Sequence, residues 1–136
     1  MIEVENFSKI HVCRKRIRRL TEAFLQDKKI SHKDISISLL DPKAMAKLNK
    51  SLRGKTGSTD VLSLPALKVR GSNFYGEILL DPEYIKQQAK ELKIAFLKEF
   101  DFILVHGLLH LSGLSDDTEK KRLKMIKLGE DFLAKL

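Results

Sequence analysis

Residues 102 to 117 read Phe102-Ile103-Leu104-Val105-His106-Gly107-Leu108-Leu109-His110-Leu111-Ser112-Gly113-Leu114-Ser115-Asp116-Asp117. The stretch from Phe102 to Ser115 is an uncharged, largely apolar run interrupted by two histidines and broken at Gly113. A helix that is apolar nearly all the way round belongs inside a molecule, with other elements packed about it. His106 and His110 are four residues apart, which on a helix puts them on one face about one turn apart, with rings able to meet at a single ion. Gly113 lets the chain reverse, and Asp116, six residues past His110, can swing back to the same point. Two imidazoles and a carboxylate supply three protein ligands for a divalent metal and leave a position for water. Asp117 is the alternative carboxylate if the turn takes another course.

Upstream, Phe96, Leu97 and Phe100 extend the apolar pattern, so the central helix covers about Ile94 to Ser112. Downstream, a last helix from about Thr118 to Leu136 sets Leu123, Ile126, Leu128, Phe132 and Leu133 against the basic run Lys120-Lys121-Arg122-Leu123-Lys124. Asp81-Pro82 and Asp41-Pro42 each place a capping carboxylate before a proline suited to the first helical position, opening helices to about Leu92 and to Arg53-Gly54. Met45 and Leu48 form the inward stripe of the second of these. The segment from Arg53 to Thr59, with glycines, cations and hydroxyls, reads as an exposed loop. Thr59 to Pro65 and Phe74 to Leu80 read as strands, and alternation places Glu77 on one face with Tyr75 and Leu79. Asp34 to Leu40 alternates apolar and polar as a half-buried strand does, and residues 2 to 5 form another short one. Cys13, Ile17, Leu20 and Phe24 recur at helical steps before it. The outer side of that helix, Arg14, Lys15, Arg16, Arg18 and Arg19, reads either as a solvated face or as a track for phosphates.

These elements specify an α+β fold: a small mixed β-sheet of about four strands packed with helices, which cover one side of it, and a buried central helix that carries the metal ligands. At 136 residues with 43% hydrophobic composition, the chain suits one domain over residues 1 to 136 with a core that needs no disulfides. Cys13 is the only cysteine, so no internal disulfide or cysteine cluster is available and a cytoplasmic, reducing location is expected. Neither a secretory signal nor an apolar run of the roughly 20 residues needed to span a bilayer is present, so no membrane partner is expected. The excess of 26 Lys+Arg over 18 Asp+Glu gives a net charge of +8, which favours a polyanionic partner.

Two unpaired imidazoles on a buried helix would each be unfavourable by on the order of 1 kcal/mol or more, unless something binds their ring nitrogens. Gly107 between them is disfavoured in a helix by about 1 kcal/mol relative to alanine, which points to a close approach by another backbone or a ligand. The spacing His-x-x-x-His-x-x-Gly-x-x-Asp is similar to the long zinc motif of metzincin proteases. Those enzymes carry a glutamate directly after the first histidine as general base, and here that position is Gly107, so the proteolytic proton shuttle is missing.

His106-Gly107-Leu108-Leu109-His110-Leu111-Ser112-Gly113 resembles the signature His-Gly-x-Leu-His-Leu-x-Gly of the YbeY family, bacterial metal-dependent endoribonucleases of ribosomal RNA maturation. Leu48-Asn49, Arg53-Gly54-Lys55 and Thr59-Asp60-Val61-Leu62-Ser63-Leu64-Pro65 resemble two further segments of that family in the same order, and Gly76-Glu77-Ile78 matches its strand. The family's usual Tyr-Asp-His ending is Leu114-Ser115-Asp116 here, so a carboxylate stands where a third histidine is expected. The resemblance implies cleavage of single-stranded ribosomal RNA, with the small ribosomal subunit as partner. It implies one divalent metal ion, zinc by donor type with nickel or another transition metal as alternatives, held by His106, His110 and Asp116. It makes Arg53 and His110 the catalytic pair, with Arg53 and Lys55 contacting RNA and Ser63 or Glu77 orienting water or a ligand. Asp60 is expected to brace a loop. A ribosome-associated RNA-binding factor with a mainly structural metal, and a metal-dependent peptidase, are the competing functions.

Overall fold

The computed structural model describes all of residues 1–136. In chain order the elements are β1 (Ile2–Asn6), α1 (Arg14–Asp27), β2 (Asp34–Leu39), α2 (Pro42–Arg53), β3 (Val61–Pro65), β4 (Phe74–Leu80), α3 (Pro82–Leu92), α4 (Phe96–Leu111) and α5 (Glu119–Ala134). The four strands form a single mixed sheet in the order β1-β2-β4-β3. β1, β2 and β4 run parallel, while β3 pairs antiparallel with β4 at the edge. Parallel neighbours need crossover connections, and α1 supplies the first of them. Pro65 is tolerated at the end of β3 because an edge strand can forgo a ladder donor.

Both aspartate-proline starts behave as the sequence demands. Asp41 accepts a hydrogen bond from the Ala44 amide at 2.8 Å, and Asp81 accepts one from the Tyr84 amide at 3.1 Å. Each satisfies an amide that the first helical turn leaves without a partner.

α4 is the centre of the molecule. Phe100, Leu104, Val105 and Leu108 are fully buried, packed among Phe24 of α1, Ile35 and Ile37 of β2, Ile78 and Leu80 of β4 and Phe132 of α5. The other face of the sheet is covered as well. There Met45 of α2 packs with Leu62 and Leu79, so helices lie on both sides rather than one. At Gly107 α4 lies tight against the sheet: a Cβ there would stand 2.8 Å from Val61 Cγ2. The close approach at Gly107 is made by the Val61 side chain of β3, where the sequence pointed to a backbone or a ligand.

Three local readings change. Cys13 is the exposed N-cap of α1, and Val12 rather than Cys13 is buried at that end, because the chain is still extended there. Leu123 is 53% exposed, since α5 turns Met125, Gly129 and Phe132 inward instead. A register shift where β4 pairs with the start of β2 breaks strict alternation, so Tyr75 packs against the main core while Glu77 faces Ser36 across the strand pair.

Gly107→Val is expected to destabilise the protein by about 1–3 kcal/mol through overpacking against Val61, read as a lower denaturant midpoint with unchanged slope.

Candidate metal centre and its cleft

The histidine face of α4 follows from how the helix sits. With Gly107 against β3, residues 102, 106 and 110 fall about 100° round the helix axis, at the open edge of the sheet rather than in the core. His106 and His110 are accordingly half-buried at the floor of a cleft of about 720 Å³. After α4, Gly113 adopts φ +103, a left-handed conformation that reverses the chain and brings residues 114–117 back over the helix end. Thr118 then caps α5 by accepting from the Lys121 amide at 3.2 Å.

The reversal places Asp116 above both rings. Its Oδ2 lies 3.4 Å from His106 Nε2 and 3.3 Å from His110 Nε2, and the two Nε2 atoms are 3.2 Å apart. Asp117 points elsewhere, toward the Lys121 ammonium at 3.3 Å. The near-equilateral triangle of donors is the test of fit. Four ligands held tetrahedrally at about 2.0–2.1 Å from a zinc-sized ion stand about 3.3–3.4 Å from one another. Nitrogen, nitrogen and carboxylate oxygen at those separations can hold one metal ion.

The tautomers agree with that use. His110 Nδ1 lies 3.1 Å from the Leu114 carbonyl, so Nδ1–H donates there and the Nε2 lone pair faces the triangle. His106 has its pKa lowered, first by burial and next by the neighbouring His110, which keeps its ring neutral and able to ligate. His106 Nδ1 is buried without a hydrogen-bond partner, and the Phe102 ring stacks on this imidazole at 6.2 Å between centroids.

Residues from three other elements complete the cleft. Arg53, the last residue of α2, lines the same cleft, exposed and in no ion pair. Its position depends on Asn49, buried one turn earlier, whose amide donates to the Gly57 carbonyl at 2.9 Å and holds the following loop. Lys55 is exposed on that loop and does not line the cleft. Ser63 does line it, but its hydroxyl donates to the Gly107 carbonyl at 2.8 Å, tying β3 to α4. Glu77 is on the far side of the sheet from α4, beside Ser36. Asp60 braces the start of β3, accepting from the Val61 amide at 2.7 Å and from Gln88 Nε2 at 3.3 Å, and its charge also reaches His106.

Two cleft residues escape a reading of motifs. Arg122 of α5 lines the cleft and is held by Glu119 through contacts of 2.7 and 3.0 Å. In the sequence it is one cation within a basic run. Phe102 had a signal, its four-residue spacing ahead of His106, although an aromatic at that spacing reads first as core.

A family model described as Endoribonuclease YbeY matches residues 2–136. The chain belongs to the YbeY family. A relative from Sulfurihydrogenibium, named Endoribonuclease YbeY, is 33% identical over 139 aligned residues that cover 100% of this chain and 91% of the relative. Another of that name from Thermodesulfovibrio yellowstonii is 38% identical over 105 residues, covering 75% and 66% of the two chains. The solution structure of TM1509 from Thermotoga maritima matches with a TM-score of 0.63 at 26% identity, covering 99% of this chain and 91% of that one. The YbeY signature segments therefore sit where their spacing has a physical meaning: residues 106–113 span the end of α4 and its turn, residues 59–65 lead into and form β3, on which α4 packs, and Asn49 holds the loop after Arg53.

Purified Asp116→Ala is expected to bind zinc at least about tenfold more weakly than the unaltered protein, which takes up one ion per chain, while Asp117→Ala binds normally; elemental analysis with competition by a chromophoric chelator reads both.

Proposed function

We propose that this chain is a metal-dependent endoribonuclease that cleaves single-stranded ribosomal RNA during rRNA maturation on the small ribosomal subunit, working in the cytoplasm as one domain over residues 1 to 136. The observation that carries this reading is the His106, His110 and Asp116 triangle lining one cleft together with Arg53, an arginine in no ion pair. The names of the YbeY relatives support the ribonuclease class. The net charge of +8 suits a polyanionic substrate.

When bound, a divalent cation supplies Lewis-acid polarisation of a phosphoryl oxygen and lowers the pKa of water. Zinc is our assignment, because two imidazoles and a carboxylate with tetrahedral spacing match its preferences; nickel or another transition metal is the competitor, being bound tightly by the same donors. Around that ion the protein has three tasks. His106 and His110 present their Nε2 atoms to it, His110 held by its bond to the Leu114 carbonyl. Asp116 would offset the ion's charge more than a third imidazole does. The Arg53 guanidinium grips two oxygens of the scissile phosphate and stabilises the charge that grows on them during attack at phosphorus. Lys55, on the same loop but outside the cleft, would touch a neighbouring phosphate of a bound strand.

The cleft does not favour a peptidase. The position that would carry a general-base glutamate is Gly107, whose Cα faces β3 and whose side any larger group would drive into Val61.

Incubated with single-stranded RNA, the metal-loaded protein is expected to cut internally and to stop on chelation. Folded His110→Ala is expected to lose cleavage with its metal. Arg53→Ala should keep the metal and lose about 10²–10³ in kcat, with little rescue by Arg53→Lys because a lysine lacks the bidentate fork. RNA binding without cleavage under any divalent metal would reject the nuclease in favour of a binding factor.

A further inference from the structure

A second groove, of about 640 Å³, begins where the cleft ends. β3 leads from one to the other: Val61 to Leu64 line the cleft, and Pro65 and Ala66 line the groove. α4 does the same, with His106 and His110 in the cleft and Leu111 in the groove. Five residues of extended strand cover about 16 Å, so a single strand lying along this edge reaches both within a few nucleotides.

The groove's chemistry differs from that of the cleft. Lys33, Lys68 and Arg70 line it, none in an ion pair, and no carboxylate does, whereas the cleft holds Asp60 and Asp116. Phe74, 45% exposed at the start of β4, and half-buried Tyr75 line the groove with these cations. Leu67 and Val69, in the connection from β3 to β4, are 87% and 62% exposed. Apolar side chains left in water beside unpaired cations mark a surface that an anionic, partly apolar partner covers.

We infer that this groove is a subsite for the single-stranded RNA that flanks the phosphate held in the cleft: Lys33, Lys68 and Arg70 track the backbone, and a base stacks on Phe74. Cations that follow phosphates, with aromatic faces between them, are the common means of holding single strands without sequence preference. The inference rests on the ribonuclease reading above and adds to it that substrate length governs affinity.

The test uses the full chain, loaded with zinc, and single-stranded RNAs of about four and about sixteen nucleotides, spanning the site sizes usual for such surfaces. The variants are the loop double substitution Lys68→Gln/Arg70→Gln, which touches no core residue, and Phe74→Ala. Both are expected to bind the longer RNA about tenfold more weakly, as loss of one stacked base or of phosphate contacts does, and the charge variant also with a shallower salt dependence. Their cleavage of the shorter RNA should be unchanged. Unaltered affinity for the longer RNA in both variants overturns the subsite while leaving the nuclease intact, and so does an equal loss on short and long RNA. A parent protein that binds the longer RNA through these residues but never cuts would sustain the subsite and remove the nuclease reading instead; one that binds neither RNA removes both.

Discussion

The contact between α4 and β3 at Gly107 is the constraint on which the rest of this structure depends. A helix can approach a strand so closely only where it has no side chain, and here even a methyl group would meet Val61 at 2.8 Å. The Ser63 hydroxyl fastens the same point by donating to the Gly107 carbonyl. Because the helix repeat is fixed, pinning residue 107 to the sheet also fixes the direction of residues 106 and 110. β3 is the edge strand, so that direction opens on solvent. One glycine thus turns two histidines on a buried helix into the floor of a cleft.

A second set of interactions holds the parts that face them. Asp81 caps α3, accepts from the Ser58 hydroxyl at 2.6 Å, and gives its amide to the Asp60 carbonyl at 3.1 Å. Gln88 of α3 donates to both Asp60 and the buried Glu99 of α4, so one amide satisfies two carboxylates. Buried acidic groups stay tolerable only when partnered in this way. Their effect is to join the loop after α2, the start of β3 and the N-terminal half of α4 into one frame beside the cleft that Arg53 and the histidines line. Several residues of the sequence signature, Asn49, Asp60 and Ser63 among them, make hydrogen bonds within this frame.

Much of the architecture was legible in the sequence because its local rules agree with one another. The Asp-Pro pairs at 41 and 81 fix helix starts by capping chemistry that acts within one turn, and Phe74 to Leu80 reads as a strand from its residues alone. Legibility failed where a distant neighbour decides. Tyr75 leaves the face that alternation assigns it because the pairing with β2 shifts register. Leu123 remains exposed because α5 offers another face to α4, and α2 covers the sheet's second side because Leu62 and Leu79 there are apolar and must be buried.

The same division runs through the site. Helical spacing alone determined that His106 and His110 share a face, and composition alone determined that any metal must be held by imidazole and carboxylate. Which carboxylate it is could be decided only by the turn at Gly113, since Asp116 and Asp117 are adjacent in sequence and point to different partners, the histidines and Lys121. The presence of Arg122 beside that triangle was likewise invisible in one dimension, and Arg53 was tied to it only by the family resemblance. Both lie on separate helices, and their distance from the histidines is set by packing against the sheet, which no short stretch of sequence encodes.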